Sequence, residues 1–297
     1  MTLIAFIVAA IIGGSNAALI KFTGQEFSPI IITLFRFALA FLIILPIAII
    51  RKIGLPRQNK KLFFLANLVF TSNVILFAIG IQKTSIIMSQ IIYLTTPILV
   101  AIIGFVFLKE RVSKKQLIGL ATSLVGIAIL FDGSLTTRDI LSFGTPIGNL
   151  LVVIGVVCWA FYLVISRKVG KNYSAFTITF YNFLAATIAA TALSIFEFTR
   201  APLIIAAITP PTILVLFVIA IVSTVFFFFL YQWVVKKTSA FISSLITYLA
   251  TVWASILGVA YFHEKFTLSL ALGLVLVVSG VFIATSLEYV LNITRKK

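Results

Sequence analysis

Acidic residues are scarce in this chain. Seven Asp and Glu stand against 23 Lys and Arg, and charged residues make up only 10% of the 297. Soluble domains carry about 25% charged residues, so a water-soluble globule is excluded. There is one cysteine, Cys158, and one histidine, His263. A lone cysteine forms no internal disulfide, and the pair supplies no ligand cluster, so neither a metal centre nor a bound cofactor is expected. The same poverty argues against an intramembrane enzyme, which needs grouped His, Asp, Cys or metal ligands for acid–base or nucleophilic work. No Asp or Glu falls in the middle of an apolar run, which leaves no midplane carboxylate for a proton relay. No Gly-Lys-Ser or Gly-Lys-Thr phosphate loop is present to use ATP.

What the chain has is apolar length. Residues of the apolar and aromatic types make up 62% of it, in uncharged runs that recur from end to end. A run of about 20 residues crosses a hydrocarbon core. The pattern predicts an all-α polytopic membrane protein with ten transmembrane helices, near 3–21, 30–50, 62–82, 86–108, 115–131, 146–165, 175–196, 212–235, 240–262 and 267–288. Ser28 and Pro29 start the second, and Pro210 with Pro211 break the long run before the eighth. The first run lacks a cationic n-region and a small-residue cleavage site, so it reads as a retained helix rather than a secretory signal.

The excess of cations is an orientation signal. With both termini cytoplasmic, Arg51, Lys52, Arg57, Lys60, Lys61, Lys109, Arg111, Lys114, Lys115, Arg167, Lys168, Lys171, Lys236, Lys237, Arg295, Lys296 and Lys297 lie inside. Only Lys21, Lys83, Arg138, Arg200 and Lys265 lie outside, so seventeen against five sets the expected topology in the cytoplasmic (inner) membrane. A +16 net charge used this way implies the lipid bilayer as partner and no nucleic acid. Arg36 is the one cation inside a span.

Shifting the sequence by 154 positions aligns Lys83-Thr84-Ser85 with Lys237-Thr238-Ser239, Ser89 with Ser243, Gly104 with Gly258 and Glu110 with Glu264. The match continues through Gly119 and Gly126 onto Gly273 and Gly280, with 12 identities in 47 positions and no gap. It joins helices three to five with eight to ten. Two five-helix halves, 1–139 and 140–297, are expected, and an odd number of crossings inserts the second upside down. Inverted halves of this kind build secondary transporters, with the substrate site near the midplane between them.

These residues resemble the drug/metabolite transporter superfamily, in its ten-helix EamA-type members. The carrying segments are GGSNAALIK from Gly13 to Lys21, Thr84-Ser85, Pro97, LKERVSKKQLIG from Leu108 to Gly119, Cys158-Trp159-Ala160, YQWVVKKTSA from Tyr231 to Ala240, and FHEKFTLSLALG from Phe262 to Gly273. The resemblance implies alternating access around a cavity lined by helices one, three, four, six, eight and nine. It also implies a small-molecule substrate, an amino acid or similar metabolite, with export as the expected direction. An exchanger or uptake carrier for a phosphorylated or nucleotide-type metabolite is the alternative, and a channel is the alternative of another class. A homodimer is left open. The chain departs from the family pattern at Gly13, where a Trp is common, while Trp159 keeps it in the second half.

On helix four, Ser89, Tyr93 and Thr96 share a face, with Gln90 and Pro97 beside it. Polar side chains facing lipid are costly, so the stripe turns toward other helices or a wet cavity. Pro97 leaves the carbonyl of Tyr93 without its helical donor and suggests a hinge. Ser243, Ser244, Thr247 and Tyr248 are the counterpart on helix nine. Asn16, Trp159, Tyr162 and Tyr231 are the remaining candidates for substrate contact; aromatic faces with an amide suit an apolar or cationic organic solute. Arg36 is close enough to a surface to snorkel, and capture of a substrate anion together with Lys21 is the sharper alternative. Glu110 and Glu264 read as ion-paired ends of the repeat, and the paired glycines as sites of close helix packing.

Overall fold

The computed structural model describes residues 2–84, 86–132, 144–198, 209–262 and 268–294, so Ser85, Arg138, Arg200, His263, Glu264, Lys265 and Arg295 to Lys297 lie outside it. The described residues are helical, with no strand among them and one isolated bridge between Thr84 and Gly144. In chain order the helices are α1 (Thr2–Thr23), α2 (Pro29–Ile50), α3 (Lys60–Lys83), α4 (Ile86–Tyr93), α5 (Thr96–Leu108), α6 (Lys114–Asp132), α7 (Pro146–Val169) and α8 (Ala175–Phe198). Then come α9 (Pro210–Ala220), a π-helical stretch (Ile221–Phe226), α10 (Phe227–Lys237), α11 (Ala240–Ser244), α12 (Ile246–Phe262) and α13 (Leu268–Thr294).

Local chemistry starts them as the sequence leads one to expect. Ser28 Oγ accepts the N–H of Ile31 at 3.2 Å with Pro29 in the first turn, and Thr145 Oγ1 accepts that of Gly148 at 3.1 Å ahead of Pro146. Among the described residues seven segments are long and apolar enough to cross a membrane, counting Met88–Leu108 and Pro210–Lys237 as single spans. The expected fifth, ninth and tenth helices are present as α6, α11 with α12, and α13, the last two contributing shorter apolar stretches, Ala240–Ala254 and Ala271–Ala284.

Two expected continuous helices are broken. The fourth stops at Tyr93 and restarts at Thr96; the ninth is interrupted at Leu245. Proline is not the common cause, since 240–262 contains none. Both breaks are lined by hydroxyls that bond three residues back and compete with the helical ladder. Thr95 Oγ1 donates to Ile92 O at 2.7 Å and Thr96 Oγ1 to Tyr93 O at 2.6 Å, while Ser244 Oγ donates to Phe241 O at 2.6 Å and Thr247 Oγ1 to Ser244 O at 2.7 Å. The carbonyl of Tyr93, expected to be free for another helix, water or ligand, is thereby taken by the chain itself. The break itself lies at Leu94 and Thr95, just before Pro97, the residue expected to mark a hinge.

Packing is reciprocal. α3 lies along α7 while α10 lies along α1; α1 lies along α12 while α7 lies along α5; α2 pairs with α8 and α6 with α13. In lipid, helices associate through close van der Waals fit at small residues rather than through a hydrophobic drive. At the α6–α13 seam a Cβ on Gly119 would stand 2.5 Å from the carbonyl oxygen of Gly280, and one on Gly126 would stand 2.8 Å from that of Gly273. Rising numbers on one helix meet falling numbers on the other, so the two run antiparallel. Between these contacts Ser123 Oγ donates to Val277 O at 3.3 Å, and those residues are themselves 154 apart. The outward faces carry Leu42, Ile43, Ile47, Phe105, Val106 and Phe282, apolar and exposed as a lipid-facing surface requires.

Candidate functional site

At the centre is a cavity of about 100 Å³. α1 contributes Gly13, Asn16 and Ala17; α2 contributes Arg36; α3 contributes Asn73, Val74 and Phe77; α4 contributes Gln90 and Tyr93. The far wall is Trp159 of α7, Phe227, Phe228 and Tyr231 of α10, and Ile246, Thr247 and Ala250 of α12. Extending the 154-residue shift backwards pairs Asn73 with Phe227, Val74 with Phe228, Phe77 with Tyr231 and Tyr93 with Thr247. All eight line the cavity. Both members of each pair therefore line one cavity, yet their chemistry differs. The guanidinium and amides come from the first half, and the larger share of the aromatic surface from the second.

Of the residues singled out in the sequence, Asn16, Arg36, Gln90, Tyr93, Trp159, Tyr231 and Thr247 are brought together here. Ser89, Thr96, Ser243 and Ser244 are fully buried in helix packing and do not reach the cavity. Tyr162 stands behind Trp159, its ring stacked 5.2 Å away, with its hydroxyl accepting from Asn182 Nδ2 at 2.6 Å and donating to Gln232 Oε1 at 3.3 Å. Tyr248 is buried off the cavity too. Lys21 is spent elsewhere, donating to the carbonyl of Thr84.

Arg36 does not snorkel. It is 5% exposed, and its Nε donates to Thr224 Oγ1 while Nη2 donates to Ser223 O at 3.0 Å. Its guanidinium carbon lies 5.1 Å from the ring of Phe37 and 5.8 Å from that of Phe228. Snorkelling fails because these partners lie at its own depth. They belong to the π-helical stretch, where Thr224 Oγ1 also donates to Ile219 O, five residues back at 2.8 Å. Single π turns inside α-helices occur often at functional sites, and here a carbonyl of the turn, Ser223 O, accepts from the guanidinium. Among the described residues no carboxylate lies within ion-pairing distance of Arg36.

Several functional neighbours escaped the sequence reading. Asn73 Nδ2 donates to Tyr93 Oη at 2.9 Å and to Gly155 O at 2.8 Å, fixing α4 against α3 and α7. A signal existed, since Asn67 and Asn73 are amides in an otherwise apolar span. Phe227 and Phe228 had none, being two of four consecutive phenylalanines.

Contacts between described residues of 1–139 and 140–297 also form outside the cavity, toward both ends of the helices. At one end Glu26 accepts the N–H of Thr209 at 2.9 Å and its hydroxyl at 2.8 Å, which holds the Glu26 carboxyl below its ordinary range; Ser28 Oγ donates to Glu197 Oε2 at 2.7 Å. At the other, Tyr173 Oη donates to Gln58 O at 2.6 Å, Tyr181 Oη to Gly54 O at 3.1 Å, and Arg167 pairs with Glu110 at 3.9 Å. The last pair borders a second cavity of about 360 Å³ beneath α5, α7 and α11.

The described helices thus make a polytopic all-α membrane protein with a central cavity. The comparisons agree and give the family. The EamA-like transporter family model matches residues 1–132 and 146–286, and the chain belongs to that family. YyaM of Bacillus subtilis (strain 168), named an uncharacterized transporter, is 30% identical over 63% of this chain and 62% of its own length. YetK of the same organism, named likewise, is 26% identical over 93% of this chain and 84% of its own. The S-adenosylmethionine/S-adenosylhomocysteine transporter of Chlamydia trachomatis serovar L2 is 29% identical over 61% of this chain and 56% of its own. A solved crystal structure matches 98% of both chains with TM-score 0.76 at 18% identity, a likeness of fold.

Proposed function

We propose that the protein is a secondary carrier. In this reading its halves, 1–139 and 140–297, are inverted copies that rock around the central cavity and move a small organic metabolite across the cytoplasmic membrane. The observation that carries it is the cavity wall itself, built from matched positions of two segments whose α6 and α13 run antiparallel. Inverted copies make the state open to one side nearly a mirror image of the state open to the other, so the two differ little in energy and a bound solute can tip them. The ties at both ends are the contacts such rocking would break in turn. Both termini are cytoplasmic, and net export follows wherever the solute accumulates inside. A metabolite cargo fits the aromatic wall, and the substrate in the chlamydial relative's name belongs to the same broad class. The carrier reading is favoured over a channel because the polar groups that line the cavity are grouped at one site rather than strung along a continuous pore.

Counterflow of labelled metabolites in proteoliposomes tests the carrier. Wild type should saturate and exchange, and Trp159→Ala and Tyr93→Ala should each cut the rate about tenfold, the order of one lost stacking or hydrogen-bonding contact. Non-saturating flux, or two variants as fast as wild type, would remove the assignment. For topology, a cysteine introduced at Arg57 should react with an impermeant maleimide only from the cytosol. Reaction from outside reverses the orientation.

A further inference from the structure

We infer that Arg36 is the recognition residue for the carboxylate of the cargo, and that the cavity selects small organic acids of net charge −1 over zwitterionic, neutral or phosphorylated solutes. This rests on the reading of the cavity as the substrate site. A guanidinium held in a low-dielectric site without a counter-ion is costly, and is normally paired. Among the described residues its partners are a hydroxyl, a carbonyl and two ring faces, none of them anionic. Nε and Nη2 are committed to the π-helical stretch, so the fork is fixed in direction, while Nη1 has no protein partner among the described residues.

Of the six buried side-chain atoms without a hydrogen-bond partner among the described residues, one belongs to a residue that lines this cavity. It is Asn16 Oδ1, an acceptor that can take a hydrogen bond from a hydroxyl of the cargo but not from its carboxylate, and the Gln90 amide lines the wall beside Tyr93. No acidic side chain lines the cavity. One guanidinium balances one carboxylate; a phosphate monoester would bring a second charge with nothing to meet it. An α-amino acid would carry its ammonium next to its own carboxylate, hence next to Arg36, with no carboxylate of the protein to offset the repulsion. Volume limits the body of the solute: an apolar cavity of about 150 Å³ takes benzene, so about 100 Å³ suits a short chain laid against Trp159 and Tyr231.

The experiment uses the purified full chain in lipid and four probes of similar size: lactate, propionate, alanine and propionamide. Lactate and propionate should raise the melting temperature and drive counterflow, each at least tenfold more effectively than alanine or propionamide. Arg36→Gln should erase that preference, and Arg36→Lys, which keeps the charge but not the fork, should retain part of it. The melting temperature of each unliganded variant reports whether it folds. Should Arg36→Gln not fold, the probe series on wild type and Arg36→Lys decides alone. Alanine or propionamide acting as strongly as lactate overturns the inference, as does an undiminished preference in Arg36→Gln. If wild type exchanges some other solute, losing this with Trp159→Ala but not with Arg36→Gln, the carrier reading stands and the carboxylate assignment falls. If no solute exchanges, the carrier reading falls as well.

Discussion

Gly280→Val is expected to abolish production of folded protein, or to leave a remnant melting far below wild type. The Cβ that any side chain adds at this position would stand 2.5 Å from the carbonyl oxygen of Gly119 and close to Ser123. Backbone cannot move aside as a flexible side chain can, so α6 and α13 must separate along the seam where Gly119, Gly126, Gly273 and Gly280 meet. Forcing extra volume into a tight interface costs about 1–3 kcal/mol and more where backbone is the obstacle. Loss of close approach also removes the van der Waals contacts that hold helices together in lipid. Gly104→Ala is the control: a Cβ there meets nothing within 4 Å, and alanine favours a helix over glycine by about 0.5–1 kcal/mol. Thermal unfolding in detergent by fluorescence-detected size exclusion compares the two. A Gly280→Val protein as stable as Gly104→Ala would mean that the seam is not a structural contact.

Phe228→Ala should be the most damaging truncation near the cavity. Its ring centroid lies 4.9 Å from that of Phe70, 5.1 Å from Phe227, 6.0 Å from Phe183, 6.1 Å from Phe37 and 6.3 Å from Trp159. Removing a buried Phe side chain costs about 3–5 kcal/mol, through lost contacts and the hole left behind. Phe228 also faces the Arg36 guanidinium, and loss of a desolvated cation–π contact adds up to about 2 kcal/mol. Phe228→Leu fills part of the hole and should recover a portion of the stability. A loss below about 1 kcal/mol for Phe228→Ala in reversible unfolding would show that the aromatic cluster is not packed as described.

Phe228 also illustrates why part of the site was not legible from the chain alone. It is one of four adjacent phenylalanines, and a helix hydrophobic on every side carries no periodicity from which to choose the inward face. Trp159, Tyr231 and Asn16 were legible because a large aromatic or an amide in an apolar span is itself unusual. Ser89, Thr96, Ser243 and Ser244 were equally unusual but turned into helix packing, where hydroxyls bend the backbone instead of facing solute. Nothing in the residue type separates these uses.

Arg36 is the sharpest case. A cation two turns inside a span is read from sequence as reaching for the nearest headgroups. The outcome was reversed by Ser223 and Thr224, almost two hundred positions away, whose π-helical turn offers a carbonyl and a hydroxyl at the depth of the guanidinium.

The linear order of residues was enough to establish a membrane-spanning all-α chain, a helix start at Ser28 and Pro29, and the recurrence that aligns Gly119 with Gly273. Those properties depend on hydropathy, on short-range capping and on repetition, all of which are written locally. The breaks at Leu94 and Leu245, the meeting of Asn73 and Phe227 in one cavity, and the burial of a guanidinium with no carboxylate partner among the described residues emerged only once the helices were assembled. Each depends on which distant surfaces meet, and in an environment where lipid and protein interior are equally apolar, that choice rests on shape rather than on hydrophobicity.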